Sequence, residues 1–269
     1  MQEGDTSSEL AWVRQALIDA GETFPTPHAL VEQIVKHGQA VVPPLLDVLQ
    51  DRSLVDEDLT GASCAPIHAL VALSELRATE AIPAMLALLA QPQINDLAAH
   101  EISVAMNGMG VAVVEPVFEA HAACTDPMVL WDLESLLVNS GAREPRILDV
   151  LVRALDRNLE MAATLLVDYG DPAALEHLHR SLDHLELDED DEGVHWKSRT
   201  AFVLIDAILK LGGTLSPAQE EKRDLAQEIT GEDPWRTPAA NPSNRRSGAL
   251  QRKRRKRKQQ KASRKKNRR

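Results

Sequence analysis

Apolar residues return along most of this chain at intervals of three and four, the spacing of one face of an α-helix. Leu10, Val13, Leu17 and Ala20 define the first such face, which Ser7 or Ser8 can cap and Gly21 ends. Residues 27–37 predict a second helix with Ala29, Leu30, Val31 and Ile34 inward and a stop at Gly38. Val42-Pro43-Pro44-Leu45-Leu46 then opens a third, with proline in the first helical turn, where its missing N–H leaves no bond unmade.

The same unit recurs. Its sharpest copy is APIHALVALSELRATEAIPAMLALLA, residues 65–90: Ile67, Leu70, Leu73 and Leu76 lie at helical spacing, a short turn follows, and Ala81-Ile82-Pro83 leads into Met85, Leu86, Leu88 and Leu89. Looser copies run through residues 97–109 into Val113-Val114-Glu115-Pro116-Val117, and through 129–138 into Pro145-Arg146-Ile147-Leu148. The last runs through 161–167 and Gly170-Asp171-Pro172 into Leu175, Leu178 and Leu182. Turn glycines at Gly110, Gly141 and Gly170 are 31 and 29 residues apart, and the gap from Gly38 to Gly110 holds two copies of 36. A further helix is expected over 197–211, with Phe202, Ile205, Ile208 and Leu209 inward, closed by Gly212-Gly213. Ser216-Pro217 starts another, to about residue 229.

A helix, a turn and a proline-opened second helix, repeated every thirty to forty residues, predicts an all-α fold: an α-solenoid of about five helix pairs closed by a C-terminal helical cap. Each pair buries both its faces only by stacking on its neighbours. The pattern resembles HEAT-like repeats of the short bacterial type. ETFPTPHALVEQIVKHGQAVVPPLLDVLQD followed by APIHALVALSELRATEAIPAMLALL is also similar to an uncharacterised bacterial family of helical-repeat proteins. The resemblance covers about residues 9–185. Relatives of that family are expected to carry a cysteine-rich zinc motif at the C-terminus; this sequence departs from that, since no cysteine follows Cys124 and the motif is missing or replaced by the basic tail.

Composition agrees with helices: hydrophobic residues make up 43% of the chain but aromatics only 3%, with Ala and Leu dominant. Charge changes the picture more. Residues 245–269 hold fifteen Lys and Arg and no acid, which leaves residues 1–244 with 30 − 15 = 15 basic residues against all 41 acidic ones. The net of −11 is therefore the sum of −26 and +15. Three segments follow: an acidic helical repeat domain over 1–230, a Pro/Ala/Asn linker over 231–244, and a Lys/Arg-rich tail over 245–269 that is expected to be disordered.

The tail is the first candidate site. Arg252, Lys253, Arg254, Arg255, Lys256, Arg257 and Lys258 form an unbroken basic block, with Arg264, Lys265 and Lys266 beyond it. Such a segment suits phosphate backbones bound with counterion release, which makes RNA, DNA or a ribosome the expected polyanion. No aromatic residue lies in the tail to stack on bases. The alternative is that the tail docks intramolecularly on its own acidic body as a regulatory element. In HEAT-like arrays the second helix of each pair usually lines the concave face. Asp47, Asp51, Glu115, Glu119, Asp149, Asp156, Glu176 and Asp183 therefore form a candidate acidic groove for a basic protein or peptide.

Candidate chemistry is sparse. Cys64 and Cys124 read as reduced core thiols, outside any CxxC or metal-spaced cluster. His177, His179 and His184 lie near Glu176 and Asp183, but i and i+2 face apart on a helix, so they form no ligand set. The acidic run over 187–193 lacks the spacing of a calcium loop. A single His100-Glu101 pair falls short of the several that HEAT-type di-iron hydroxylases use. A lyase-like HEAT-repeat enzyme stays open as a lesser alternative. No catalytic residue, cofactor or metal is expected, and neither a signal peptide nor a membrane span, which places the chain in the cytoplasm. The leading expectation is a non-catalytic interaction scaffold with an acidic groove and a polyanion-binding tail.

Overall fold

The computed structural model describes residues 10–21, 23–54, 64–91, 96–188 and 193–231. Among them are thirteen α-helices and no strand. They are α1 (Ala11–Asp19), α2 (His28–Val35), α3 (Val42–Gln50), α4 (Ala65–Glu75), α5 (Ile82–Leu89), α6 (Asp96–Asn107) and α7 (Val114–Ala123). Then come α8 (Pro127–Asn139), α9 (Pro145–Ala154), α10 (Leu159–Tyr169), α11 (Leu175–His184), α12 (Val194–Lys210) and α13 (Pro217–Thr230). All thirteen belong to one compact unit, Met1–Thr230; of the second unit, Gly231–Arg269, only Gly231 is described. The tail residues Arg252–Lys258 and Arg264–Lys266, the linker beyond Gly231, acidic residues 189–192 and the serines expected to cap α1 thus lie outside the described residues.

Local chemistry starts and stops these helices. The Asp126 carboxylate accepts from the N–H groups of Met128 at 2.8 Å and Val129 at 3.3 Å ahead of α8, and Asn158 accepts from Met161 at 3.1 Å ahead of α10. Before α13, Ser216 Oγ accepts from the Gln219 N–H at 3.3 Å while Gln219 Oε1 accepts from the Ser216 N–H at 3.1 Å, a reciprocal capping box. Short 3₁₀ turns lead into α3, α5, α7 and α11. The turn glycines Gly38, Gly110, Gly141 and Gly170 all take positive φ, between 60° and 75°. In the α4–α5 turn that place falls to Arg77, at φ 48°.

Packing joins the helices in two rows. In the even row α4, α6, α8, α10 and α12 pack successively on one another; in the odd row α3 packs on α5 and α5 on α7. Each odd helix from α3 to α11 also packs on the even helix that follows it. The turns within pairs then meet their neighbours along one edge. Gln39 Nε2 donates to the Leu76 carbonyl at 3.5 Å, and Arg143 donates to the Tyr169 carbonyl at 2.5 Å while Tyr169 Oη donates to the Glu144 carbonyl at 3.0 Å. A Cβ on Gly108 would lie 3.3 Å from Ser74 Oγ, and one on Gly110 would lie 3.9 Å from the Ser140 carbonyl.

The core between the rows is Leu, Ile, Val, Ala and Met, as expected, with two differences. Ala29 is exposed, because α2 docks on α4 through Val31 and Ile34. Leu209 is 44% exposed on the last turn of α12, where Leu204, Ile205, Ala207 and Ile208 carry the packing.

Two buried polar groups each hold two partners. His68, 1% exposed on α4, donates from Nε2 to the Gly21 carbonyl at 3.1 Å and accepts at Nδ1 from Thr26 Oγ1 at 2.9 Å, tying the α1–α2 connection to the core. Burial lowers the His68 pKa, with the Gly21 bond acting weakly the other way. Glu134, 3% exposed on α8, accepts from His121 Nε2 of α7 at 3.1 Å and from the Arg157 guanidinium between α9 and α10.

Candidate functional site

The outward stripe of the odd helices follows from their buried positions. Leu45, Met85, Val117, Ile147 and Leu178 are wholly buried, one each on α3, α5, α7, α9 and α11. On a helix, residues two before and two after such a position point away from it. Those pairs are Pro43 and Asp47, Pro83 and Ala87, Glu115 and Glu119, Pro145 and Asp149, Glu176 and Arg180, and all ten residues are exposed. The stripe is acidic on α3, α7 and α9, mixed on α11, where Asp183 is also exposed, and without charge on α5.

Of the eight carboxylates expected to form an acidic groove, six lie on these helices. Asp51 instead ends α3 and Asp156 lies in the turn after α9. Asp51 accepts from Ser53 Oγ at 2.6 Å, from the Ser53 N–H at 2.9 Å and from Arg14 of α1 at 2.5 Å, and these donors lower its pKa to about 2. Glu115 takes both arms of the Arg146 guanidinium, at 2.5 and 3.3 Å, which holds its pKa below the usual carboxylate range. Arg146 reaches Glu144 as well, at 2.6 Å, and lies 4.5 Å over the Phe118 ring. This one guanidinium clamps α9 to α7 and neutralises part of the stripe there.

Glu176 pairs with Arg180 one turn on, at 2.6 Å. Asp183 accepts from Gln219 Nε2 at 2.9 Å, so it fastens α13 to α11. Asp47, Glu119, Asp149 and Asp156 are exposed and make no ion pair among the described residues. Arg146, by contrast, engages both carboxylate oxygens of Glu115. Between Arg77 and Arg143, residues 78–142 contain eight Asp and Glu and no Lys or Arg.

Other predicted positions resolve into structure. Cys64 is buried just before α4; Cys124 ends α7 half-buried, its thiol donating to the Asp126 carbonyl at 3.6 Å; neither forms a disulfide. His179 donates from Nδ1 to Gln219 Oε1 at 3.0 Å, while His184 is exposed. Lys222 of α13 donates to the Leu182 and Asp183 carbonyls at 2.5 and 2.9 Å, and burial lowers its pKa. Among the described residues no three His, Cys, Asp or Glu side chains converge as a metal ion requires, and no helix is long and apolar enough to cross a membrane.

Sequence spacing did not reveal two shallow grooves beside the acidic stripe. One, of about 460 Å³, lies between α1 and α3 and includes Leu10, Arg14, Pro43 and Asp47. The other, of about 340 Å³, lies between α3 and α5, lined by Leu49, Gln50, Pro83, Ala84, Ala87 and Leu88, with Gln91 at its end. Comparison of the chain with family models, with curated proteins and with solved structures returns no match.

Proposed function

We propose that this chain is a non-catalytic interaction scaffold, a HEAT-like α-solenoid. Its outward acidic stripe binds a basic protein segment, and its Lys/Arg-rich tail binds a polyanion, most simply RNA. The observation that carries the reading is the stripe itself. Asp47, Glu119 and Asp149 stand at equivalent outward positions on α3, α7 and α9 without an ion pair among the described residues. The succession of row contacts and the edge along which neighbouring turns meet support the solenoid, since such arrays join each unit to the next. Exposed carboxylates at regular spacing raise the local potential and favour cationic partners.

The test compares the full chain with one ending at Asn244, binding a fluorescent single-stranded RNA and, separately, an Arg/Lys-rich peptide, across a salt series. The tail predicts RNA binding that is lost on truncation. Neutralising six to ten phosphates of a single strand would cost the full chain a factor of roughly 300 to 10⁴ in affinity between 50 and 200 mM salt. The stripe predicts peptide binding that survives truncation and falls when Asp47, Glu119 and Asp149 are changed together to Asn. RNA binding unchanged by truncation would remove the polyanion role. Peptide binding unchanged in the triple variant would remove the acidic one. Peptide binding that strengthens on truncation would mean that the tail competes for the stripe.

A further inference from the structure

The odd helices share one outward pattern, and α5 breaks it. Where α3 carries Asp47, α7 carries Glu119 and α9 carries Asp149, α5 presents Ala87, and where α7 carries Glu115 it presents Pro83. The whole of α5, IPAMLALL, has no charged residue. It packs between α3 and α7 in the odd row, so an apolar strip runs between two acidic neighbours. The α3–α5 groove opens along that strip, and apart from Gln50 and Gln91 the residues named in its wall are Leu, Pro and Ala. At about 340 Å³ it falls at the small end of the range, roughly 300–1,000 Å³, of sites that take a ligand group. Among the described residues no cation lines it, in contrast to the α1–α3 groove, whose wall includes Arg14.

Resting on the acidic-stripe reading above, we propose that the α3–α5 groove seats an aliphatic side chain of the basic partner. The flanking cations of that segment reach Asp47 on one side and Glu119 on the other. The partner is therefore a basic peptide segment with a leucine-like residue set between its Lys and Arg residues, not a uniform polycation. Charge complementarity selects this occupant. An acidic surface with an uncharged interruption penalises a cation placed over the interruption, which would be desolvated against Leu and Ala with no carboxylate beside it. An aliphatic group there gains from leaving water. The acids give on-rate and salt dependence, and the groove gives discrimination.

The experiment measures binding of two synthetic peptides to the full chain by fluorescence anisotropy at about 50 mM salt, low enough to leave exposed charges largely unscreened. Both peptides have the same Lys and Arg positions; one carries leucine at its centre and the other serine. The leucine peptide is expected to bind roughly tenfold more tightly, the scale of burying about half of that side chain. Ala87→Gln fills the groove with a neutral side chain that helices accept; it should erase the leucine advantage, bringing the two peptides to the same affinity. Ala84→Gln, on the same wall, should do the same and guards against a fold effect peculiar to one site. Equal binding of the two peptides, or a leucine advantage that survives both substitutions, overturns the groove while leaving the acidic stripe standing. Failure of both peptides to bind overturns the stripe, and the groove with it.

Discussion

Arg77 occupies the place that glycine holds in the other turns. Its φ of 48° lies in the left-handed region, where a Cβ crowds the following carbonyl. It stands 39 residues after Gly38 and 33 before Gly110, which explains why the glycine ladder skips one rung in the sequence. Arg77→Gly is expected to stabilise the chain by about 0.5–1 kcal/mol, the strain relieved exceeding the entropy that glycine adds to the unfolded state; the urea midpoint reads it. His68 sets a pH dependence. Its folded pKa lies below the ordinary 6.5, so between the two values the unfolded chain binds the extra proton. The stability that neutral His68 supplies is present above about pH 6.5 and is lost as the pH falls below it. A His68→Gln chain, less stable at pH 7.5, should show a flatter stability profile from pH 7 to pH 5.5 by urea titration. Neither group was legible from the sequence. Arg77 reads as a surface arginine until its backbone is seen, and His68 sits in an apolar run that does not disclose Thr26 and Gly21 as partners. The burial of Glu134 between His121 and Arg157 was hidden for the same reason: a carboxylate is expected outside unless its partners are known.

At the scale of elements, spacing gave most of what the structure contains. The proline-opened helices α3, α5 and α9, the glycine stops and the Ser216-Pro217 start all fall where the pattern puts them. What it could not give is how α13 is fastened. Gln219, 2% exposed, bonds to Ser216 N–H, His179 Nδ1 and Asp183 Oδ1 at once, and so joins the start of α13 to the exposed side of α11. Gln219→Ala removes the side-chain arm of the capping box and leaves His179 and Asp183 to find water. It should lower stability by about 1–2 kcal/mol. Amide exchange should accelerate in α13 first and in α8 little, which hydrogen-exchange mass spectrometry would resolve.

For the molecule as a whole, the helical fold and the split between acid and base were visible in composition and periodicity alone. The eight candidate carboxylates do not form one class. Arg14 and Arg146 take up Asp51 and Glu115, and Gln219 takes Asp183, while Asp47, Glu119, Asp149 and Asp156 stay without an ion pair among the described residues. Those partners come from the preceding or following helices, at distances along the chain that a charge count cannot weigh. The α3–α5 groove was illegible for a related reason. The alanines of α5 read as ordinary helix formers until the buried Met85 fixes which of them face out.

The edge along which the turns meet also bears on how the chain folds. Gln39 finds Leu76 at a separation of 37 residues, Arg143 finds Tyr169 at 26, and Glu115 finds Arg146 at 31. Closing loops of that length costs little more than closing shorter ones, because the entropy grows only with the logarithm of the length. Each new pair of helices can therefore dock on the one before it as the chain leaves the ribosome, without waiting for the far terminus. Near the N-terminal end, His68 ties the α1–α2 connection to α4 at separations of 47 and 42 residues, another bond between neighbouring pairs that assembly from that end can make early.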